Sequence, residues 1–480
     1  MSLETIMLLV VAVPVLGAIL LPLVGRFCKS TRNGLALLMV LVSLAGALML
    51  IGPVMSGQVI HLNFPTGFGH MMLLADRLAV FMALVSSLVG AIIVFYSWGY
   101  ISHYENQNEY YFLVVLFLGA MMGLVFAANL LILYIFWEIT AIASWRLIGF
   151  FRSPAIVLRA DKSFLVTFFG ATMMLLGFIM VREQAGSWDL PTIKAALVGH
   201  PLTNMAVAFI LLGVLAKSAT LPLQTWLPDA GVAPSPVTAL LHAAVLVKIG
   251  VYAYARLFVV NMPMPEIWHT IVPAIAATSA LVAAGAALLE TDLKRLIAFS
   301  TISQIGFIFL GLSIGGELAL AGALLYILMH GVAKGGLFLC AGIIEQNTHC
   351  KDITKLGGLI KTMPVTAIAF LICTFSVIGI PPLGGFFSKY MVIAGAAGSH
   401  HLWIVLSFVG TAFLTIIYLM RAFVLVFMGE PKGKLVAEGS PVMVWSVALL
   451  AVLSIAGGLL IFYPSLFATE ATRQILGLIP

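Results

Sequence analysis

The sequence predicts an all-α polytopic membrane protein of about fourteen transmembrane helices, with two inverted five-helix repeats and two broken helices. Three observations predict it. Hydrophobic residues make up 62% of the 480 residues and charged residues only 9%, where a soluble domain carries roughly 25% charged residues. Apolar runs of about 20 residues, the length that crosses a bilayer core, recur from end to end. Lysine and arginine gather on alternate connections. The same figures exclude a disordered chain, a collagen-like fibre and a disulfide-stapled secreted domain. The net charge of +6 is scattered through apolar sequence and forms no nucleic-acid surface. The partner that composition requires is the lipid bilayer.

Taken in order, the spans are expected near 5–25, 34–55, 78–100, 111–127, 129–150, 163–182, 203–222, 236–259, 270–289, 295–313, 318–343, 365–393, 402–428 and 441–464. The first has no basic stretch ahead of it and is as long as a full span, so it reads as a retained helix rather than a signal peptide. Little more than Ala127 to Asn129 separates the fourth and fifth, which predicts a tight hairpin. Segments 55–77 and 183–202 read as loops, and His400 and His401 as solvated loop residues. The expected organisation is 1–110 for helices 1–3, 111–259 for helices 4–8, 260–428 for helices 9–13 and 429–480 for helix 14.

With the amino terminus placed outside, 15 basic residues fall on inner connections and 5 on outer ones. That asymmetry is what the positive-inside rule predicts. Both termini are therefore expected on the outer face of the cell inner (cytoplasmic) membrane. Cys28, Cys340, Cys350 and Cys373 show no paired spacing, so no metal site, iron–sulfur cluster or other cofactor is expected on this chain.

The remaining four basic residues, Lys217, Lys248, Lys334 and Lys389, fall inside spans. An ionisable group at bilayer depth costs several kcal/mol unless paired, hydrated or neutral, so each is a functional candidate. Glu138 is the one carboxylate near the middle of a span (LLILYIFWEITAIASW); Trp137 and Trp145 beside it read as packing. Lys217 precedes Pro222 in FILLGVLAKSATLPLQTWLPDA. Proline breaks a helix, and membranes tolerate the freed backbone groups only against protein or a water-filled cavity. Loss of water disfavours an ammonium while a carboxylate such as Glu138 favours it, and that opposition suits a proton switch. Lys389 follows Pro381 and Pro382 in TFSVIGIPPLGGFFSKYMVI. Lys248 lies in an apolar helix with His242 six residues earlier, and His330 and Lys334 are one helical turn apart on one face. The alternatives are a lysine snorkelling to the interface and, at Lys334, close packing beside Gly331, Gly335 and Gly336.

The breaks fall in spans 7 and 12, the fourth helix of units 4–8 and 9–13. Five is odd, so the second unit runs inverted. Lysine precedes proline in the first break and follows it in the second. Paired breaks of this kind point to a transport site at a repeat interface, with a half-channel to each face joined by the central charges.

The strings FWEITAIASWRLIGF, AKSATLPLQTWLPDA, APSPVTALLHAAVLVKIGVY, TDLKRLIAFSTISQIGF, LMHGVAKGGLFLCAG and GIPPLGGFFSK, within about residues 111–393, resemble the antiporter-like, proton-conducting subunits of respiratory complex I. Relatives of that family occur in membrane-bound hydrogenases, formate hydrogenlyases and Mrp-type cation/proton antiporters. The resemblance implies the fourteen-helix fold and a proton relay. The family's glutamate falls on Glu138, its broken-helix lysine on Lys217, its eighth-helix lysine on Lys248 and its twelfth-helix ionisable residue on Lys389. His242, Asp229, Asp292, Lys294, His330 and Lys334 match further polar positions. It also implies partners: other membrane subunits and a cofactor-bearing peripheral redox arm of NADH:quinone oxidoreductase or hydrogenase type. The chain would then be a non-redox subunit of a proton-translocating oxidoreductase, with no catalytic redox site of its own. The alternative is a subunit of an Mrp-type Na+/H+ antiporter, and the choice of H+ or Na+ stays open. A passive scaffold would gain stability by losing its intramembrane lysines.

Overall fold

In a computed structural model, residues 1–66, 69–398, 402–432 and 436–479 are described; His400, His401 and Lys434 lie outside them. Among the described residues, 11 helices are long and apolar enough to cross a membrane. The number is 12 if Leu3–Ala18 and Leu21–Phe27, bent by 51°, form one span. Length and apolarity therefore do not reach the expected fourteen. The physical reason is that the helices Asn204–Lys217 and Pro364–Ile378 stop after 14 and 15 residues, where the chain breaks ahead of Pro222 and Pro381.

Burial sorts the helices into centre and rim. In Glu317–Thr348, 94% of the most apolar window is buried, against 39% in Leu402–Phe427. The rim helix exposes Leu406, Val409, Phe413, Ile416 and Val424 along one stripe, an apolar face that only lipid or another membrane chain satisfies. Around the central helix pack Arg77–Tyr100, Leu293–Ile314, Pro364–Ile378 and Gly384–Ala397.

Three elements depart from the sequence expectation, the first being a short helix, Leu190–Ala196, in segment 183–202, read as a loop. Segment 55–77, read as a loop, contains an antiparallel hairpin of Ile60–Thr66 and Gly69–Ala75. It continues into the helix hairpin through an Ala128 N–H to Met72 carbonyl bond of 3.0 Å. Beyond the last expected span, Phe462–Ile475 forms a further helix that buries Phe467, Ala468, Ala471 and Ile475.

The eighth span, Ser235–Asn261, is also interrupted, although it contains no proline near the break. At Val245 (φ −130°, ψ −73°) the N–H bonds five residues back, to the Leu240 carbonyl at 3.0 Å. The helix restarts as Leu246–Tyr254. Gly250 is required here: a Cβ would sit 2.6 Å from the Val214 carbonyl oxygen of the seventh span.

Candidate functional site

The first break is built from its freed backbone groups outward. Thr203 caps the start of Asn204–Lys217, accepting from the Ala206 N–H at 3.2 Å. At the other end Trp226 Nε1 donates to the Ala216 carbonyl at 2.9 Å, and the Leu221 N–H to Ser279 Oγ at 3.3 Å. The Leu221–Pro222 bond is cis. Lys217, the last helical residue, is 0% exposed, at the end where helix carbonyls carry partial negative charge. Its Nζ donates to the Trp137 carbonyl at 3.1 Å and lies 5.2 Å from the indole centroid. Trp137, expected to be packing only, thus holds the ammonium through both backbone and ring. Glu138, the next residue, is within electrostatic reach of Lys217. No ion pair joins them, and Glu138 Oε1 has no hydrogen-bond partner.

The second centre forms at the Val245 interruption. Lys248 Nζ folds back to donate to the His242 carbonyl at 3.1 Å and to the Ala243 carbonyl, and meets His330 Nδ1 at 3.0 Å. His330 Nε2 and both ring nitrogens of His242 are buried without a partner. The His242 ring instead lies 4.4 Å from that of Phe338. His330 is the hub: it is within electrostatic reach of Lys248, Lys334, Lys389 and His242. Lys334, one turn on, turns to Leu293–Ile314 and donates to the Ile297 carbonyl at 3.2 Å and Ser300 Oγ at 2.6 Å.

The third centre mirrors the first in its logic. The carbonyl of Val377 would pair with the N–H of residue 381, but Pro381 has none. Lys389 Nζ supplies the missing donor at 2.7 Å and lies 4.6 Å from the Phe307 ring centroid. Gly379 takes φ +94°, and a Cβ on Gly385 would lie 1.8 Å from the Ser376 carbonyl oxygen. Glycine is therefore obligatory where the chain doubles back. The Pro381–Pro382 bond is cis.

Asp229, Asp292 and Lys294 lie outside this line, in a charged collar at the ends of the helices. Asp229 bridges Lys162 and Arg295, each at 2.7 Å. Burial alone would raise its carboxyl, but those two cations outweigh it and hold the group below the usual carboxylate range. Lys294 pairs with Glu345 at 2.6 Å, and Asp292 caps its helix by accepting from the Arg295 N–H at 3.0 Å. Among the described residues no group of three or more His, Cys, Asp and Glu side chains is arranged to hold a metal ion.

The structure thus joins Lys248 to His330 directly. It leaves Lys217 with Glu138 as a separate unit, and connects Lys334 and Lys389 to the rest through packing and field. Sequence reasoning missed Trp137 as the partner of Lys217, the Val245 break, and Ser300, Gln304, Thr415 and Tyr418 around Lys334. Serine, threonine and glutamine one turn apart in apolar helices were the available signal for Ser300, Gln304 and Thr415.

The family described as "NADH:quinone oxidoreductase/Mrp antiporter, TM" matches residues 127–415. A second, "NADH-Ubiquinone oxidoreductase (complex I), chain 5 N-terminus", matches residues 69–111. The chain is 34% identical to Na(+)/H(+) antiporter subunit A1 of Staphylococcus haemolyticus, over 98% of this chain and 63% of that relative. It is 33% identical to the Staphylococcus aureus subunit A1, over 94% and 60%. The chain thus spans about three fifths of the length of these relatives. In fold it is similar to a chain of the Mrp complex from Dietzia sp., with a TM-score of 0.89 at 21% identity, covering 99% of this chain and 98% of that one. A chain of Thermus thermophilus respiratory complex I gives 0.86 at 24% identity, covering 99% and 100%.

Proposed function

The chain belongs to the NADH:quinone oxidoreductase/Mrp antiporter membrane family, and we propose on that premise that it is an ion-translocating subunit of a multi-subunit Na+/H+ antiporter. The observation that carries this reading is the 34% identity to an antiporter A1 subunit along almost the whole chain. The solved Mrp and complex I chains share the fold at 21% and 24% identity, so fold alone does not divide the two readings. We favour the antiporter over the first of the two sequence readings, a cofactor-bearing arm on partner chains, on the strength of the A1 relatives.

In the proposed mechanism a proton crosses by exchange among buried amines and imidazoles. Lys217 loads while Glu138 is near, because a carboxylate within a few ångströms stabilises an ammonium. Withdrawal of Glu138 favours release. The proton passes to Lys248, whose contact with His330 Nδ1 at 3.0 Å offers a ring able to accept it. From the His330 hub the proton reaches Lys389, beside the second break, and leaves. Each amine is held by a backbone carbonyl whose hydrogen bond survives deprotonation, so the site keeps its shape in both charge states. Residues 111–259 and 260–428 serve as the two inverted repeats, one half-channel in each, with both termini on the outer face. Two conformations with different Glu138–Lys217 separations supply the alternation, and Na+ movement in the assembly shifts their populations.

The experiment is purification of the tagged chain in mild detergent, with the accompanying chains identified by mass spectrometry. Small hydrophobic antiporter subunits are expected. Recovery with iron–sulfur or other redox-cofactor subunits in their place would overturn the reading.

A further inference from the structure

Two apolar cavities, of about 240 and 360 Å3, lie side by side on the surface between Arg77–Tyr100, Glu317–Thr348 and the last two helices, Pro441–Leu459 and Phe462–Ile475. They share Leu328, Tyr463 and Pro464 and so form one groove. It opens where the last span stops at Leu459 and a new helix begins at Phe462. That helix packs Phe467 edge-on against Phe81, with ring centroids 5.5 Å apart. Among the described lining residues, the Tyr463 hydroxyl is the one polar side-chain group. Water finds no partners in such a lining, and an empty groove forfeits van der Waals contact along its walls.

Depth places the groove in the hydrocarbon. Along Arg77–Tyr100 the lining runs from Phe81 to Leu88, about 6 to 16 Å below Arg77 at 1.5 Å per residue. One leaflet of a bilayer core is about 15 Å deep. The neighbouring central helix is in step, since a Cβ on Gly331 or Gly335 would meet Val85 or Val89 at 3.5 or 3.3 Å. Leu328 and Met329 therefore floor the groove at the same level. Charge returns above its mouth, where Arg473 pairs with Glu317 at 2.7 Å. The lining also selects among apolar occupants. Transmembrane helices meet through small residues that let backbones approach. Here only Ala456 and Gly457 are small, and the walls are leucine, methionine and phenylalanine. Walls of that kind adapt to a narrow, flexible chain.

We propose that the groove is a binding site for one acyl chain of a phospholipid from the leaflet at the Arg77 end, held through purification where lipid on the open rim is lost. The chain covers Met329, whose sulfur would lie 2.3 Å from a Cβ on Gly384. The lipid therefore sits one side chain away from the second break, beside His330.

The test uses the whole assembly, purified in mild detergent and washed free of loose lipid. A photoreactive diazirine side chain replaces Leu88 or Leu460 in the groove or, as a control, Phe413, which is 64% exposed on the rim helix Leu402–Phe427. After illumination, mass spectrometry of the labelled peptides should find a phospholipid at positions 88 and 460 and none at 413. Ala456→Trp, which fills the groove, should lose the adduct at 460; Gly457→Leu takes its place if tryptophan prevents assembly. A peptide of another subunit attached at either groove position overturns the proposal in favour of a helix–helix interface. Detergent or water in place of lipid, equal lipid retention at 413, or an adduct undiminished by filling the groove also overturns it. Ion exchange plays no part in the readout, so the outcome is independent of the antiporter reading.

Discussion

Replacing Lys389 with methionine separates a charge kept for function from one kept for stability. The ammonium is 4% exposed, and taking such an ion out of water costs several kcal/mol even after relaxation. Against that stand its bond to the Val377 carbonyl at 2.7 Å and the Phe307 ring at 4.6 Å. A charge-assisted hydrogen bond contributes about 1.5–3 kcal/mol and a desolvated cation–π contact about 2 kcal/mol. These terms nearly cancel. Methionine fills the same apolar space without the desolvation cost but leaves the Val377 carbonyl unpaired, at about 1–3 kcal/mol. The variant should therefore melt within about 3 kcal/mol of wild type in detergent. Na+-driven proton movement in vesicles should fall by about a hundredfold or more, because a positioned proton carrier is gone. A folded variant that still transports would refute the reasoning. So would a variant that fails to fold, which would make the lysine a structural strut.

Gly385→Ala should destabilise the chain by about 1–3 kcal/mol or more, since its Cβ would meet the Ser376 carbonyl oxygen at 1.8 Å; thermal melting checks this. His242→Phe should raise the melting temperature, because it removes two buried ring nitrogens without partners, each costing about 1–3 kcal/mol. Unchanged exchange in that variant would take His242 out of the relay. At the start of Arg77–Tyr100, directly after the β-hairpin, Asp76 caps the helix and accepts two bonds from Arg256, at 2.6 and 2.7 Å. Asp76→Asn should cost about 3–5 kcal/mol by leaving a buried guanidinium unpaired. Burial alone would raise the Asp76 carboxyl, yet Arg256 outweighs it and holds the group below its ordinary range. Its stabilisation is therefore present above the ordinary carboxylate range and lost as pH falls through the depressed value. Melting curves taken into acid should show that slope in wild type and a weaker one in Asp76→Asn.

The class of fold and the candidate residues were legible because the bilayer penalises charge and broken backbone so heavily. A lysine in an apolar run, as at 217, 248 and 389, stands out for that reason, and Pro222 and Pro381 announce their breaks. What stayed hidden depends on backbone geometry rather than residue type. Nothing in ALLHAAVLVKIG marks Val245 as a break, because the interruption comes from a widened turn whose carbonyls Lys248 satisfies. Trp137 reads as packing because its carbonyl, invisible in sequence, is the group that holds Lys217. The hairpin at 60–75 was missed although Ile60, Leu62 and Phe64 alternate ahead of Gly67 and Gly69, a strand-and-turn pattern that a search tuned to 20-residue helices passes over. Ser300, Gln304 and Thr415 carry no charge, so only their meeting in space gives them meaning.

The most direct measurement is the pH change that a Na+ pulse produces in inverted vesicles carrying the intact assembly. Wild type would be compared with Glu138→Gln and Lys217→Ala at equal amounts of chain and equal partner recovery. A signal in wild type that both substitutions abolish is the predicted result. Undiminished proton movement in both would contradict the claim that the Glu138–Lys217 unit starts the path.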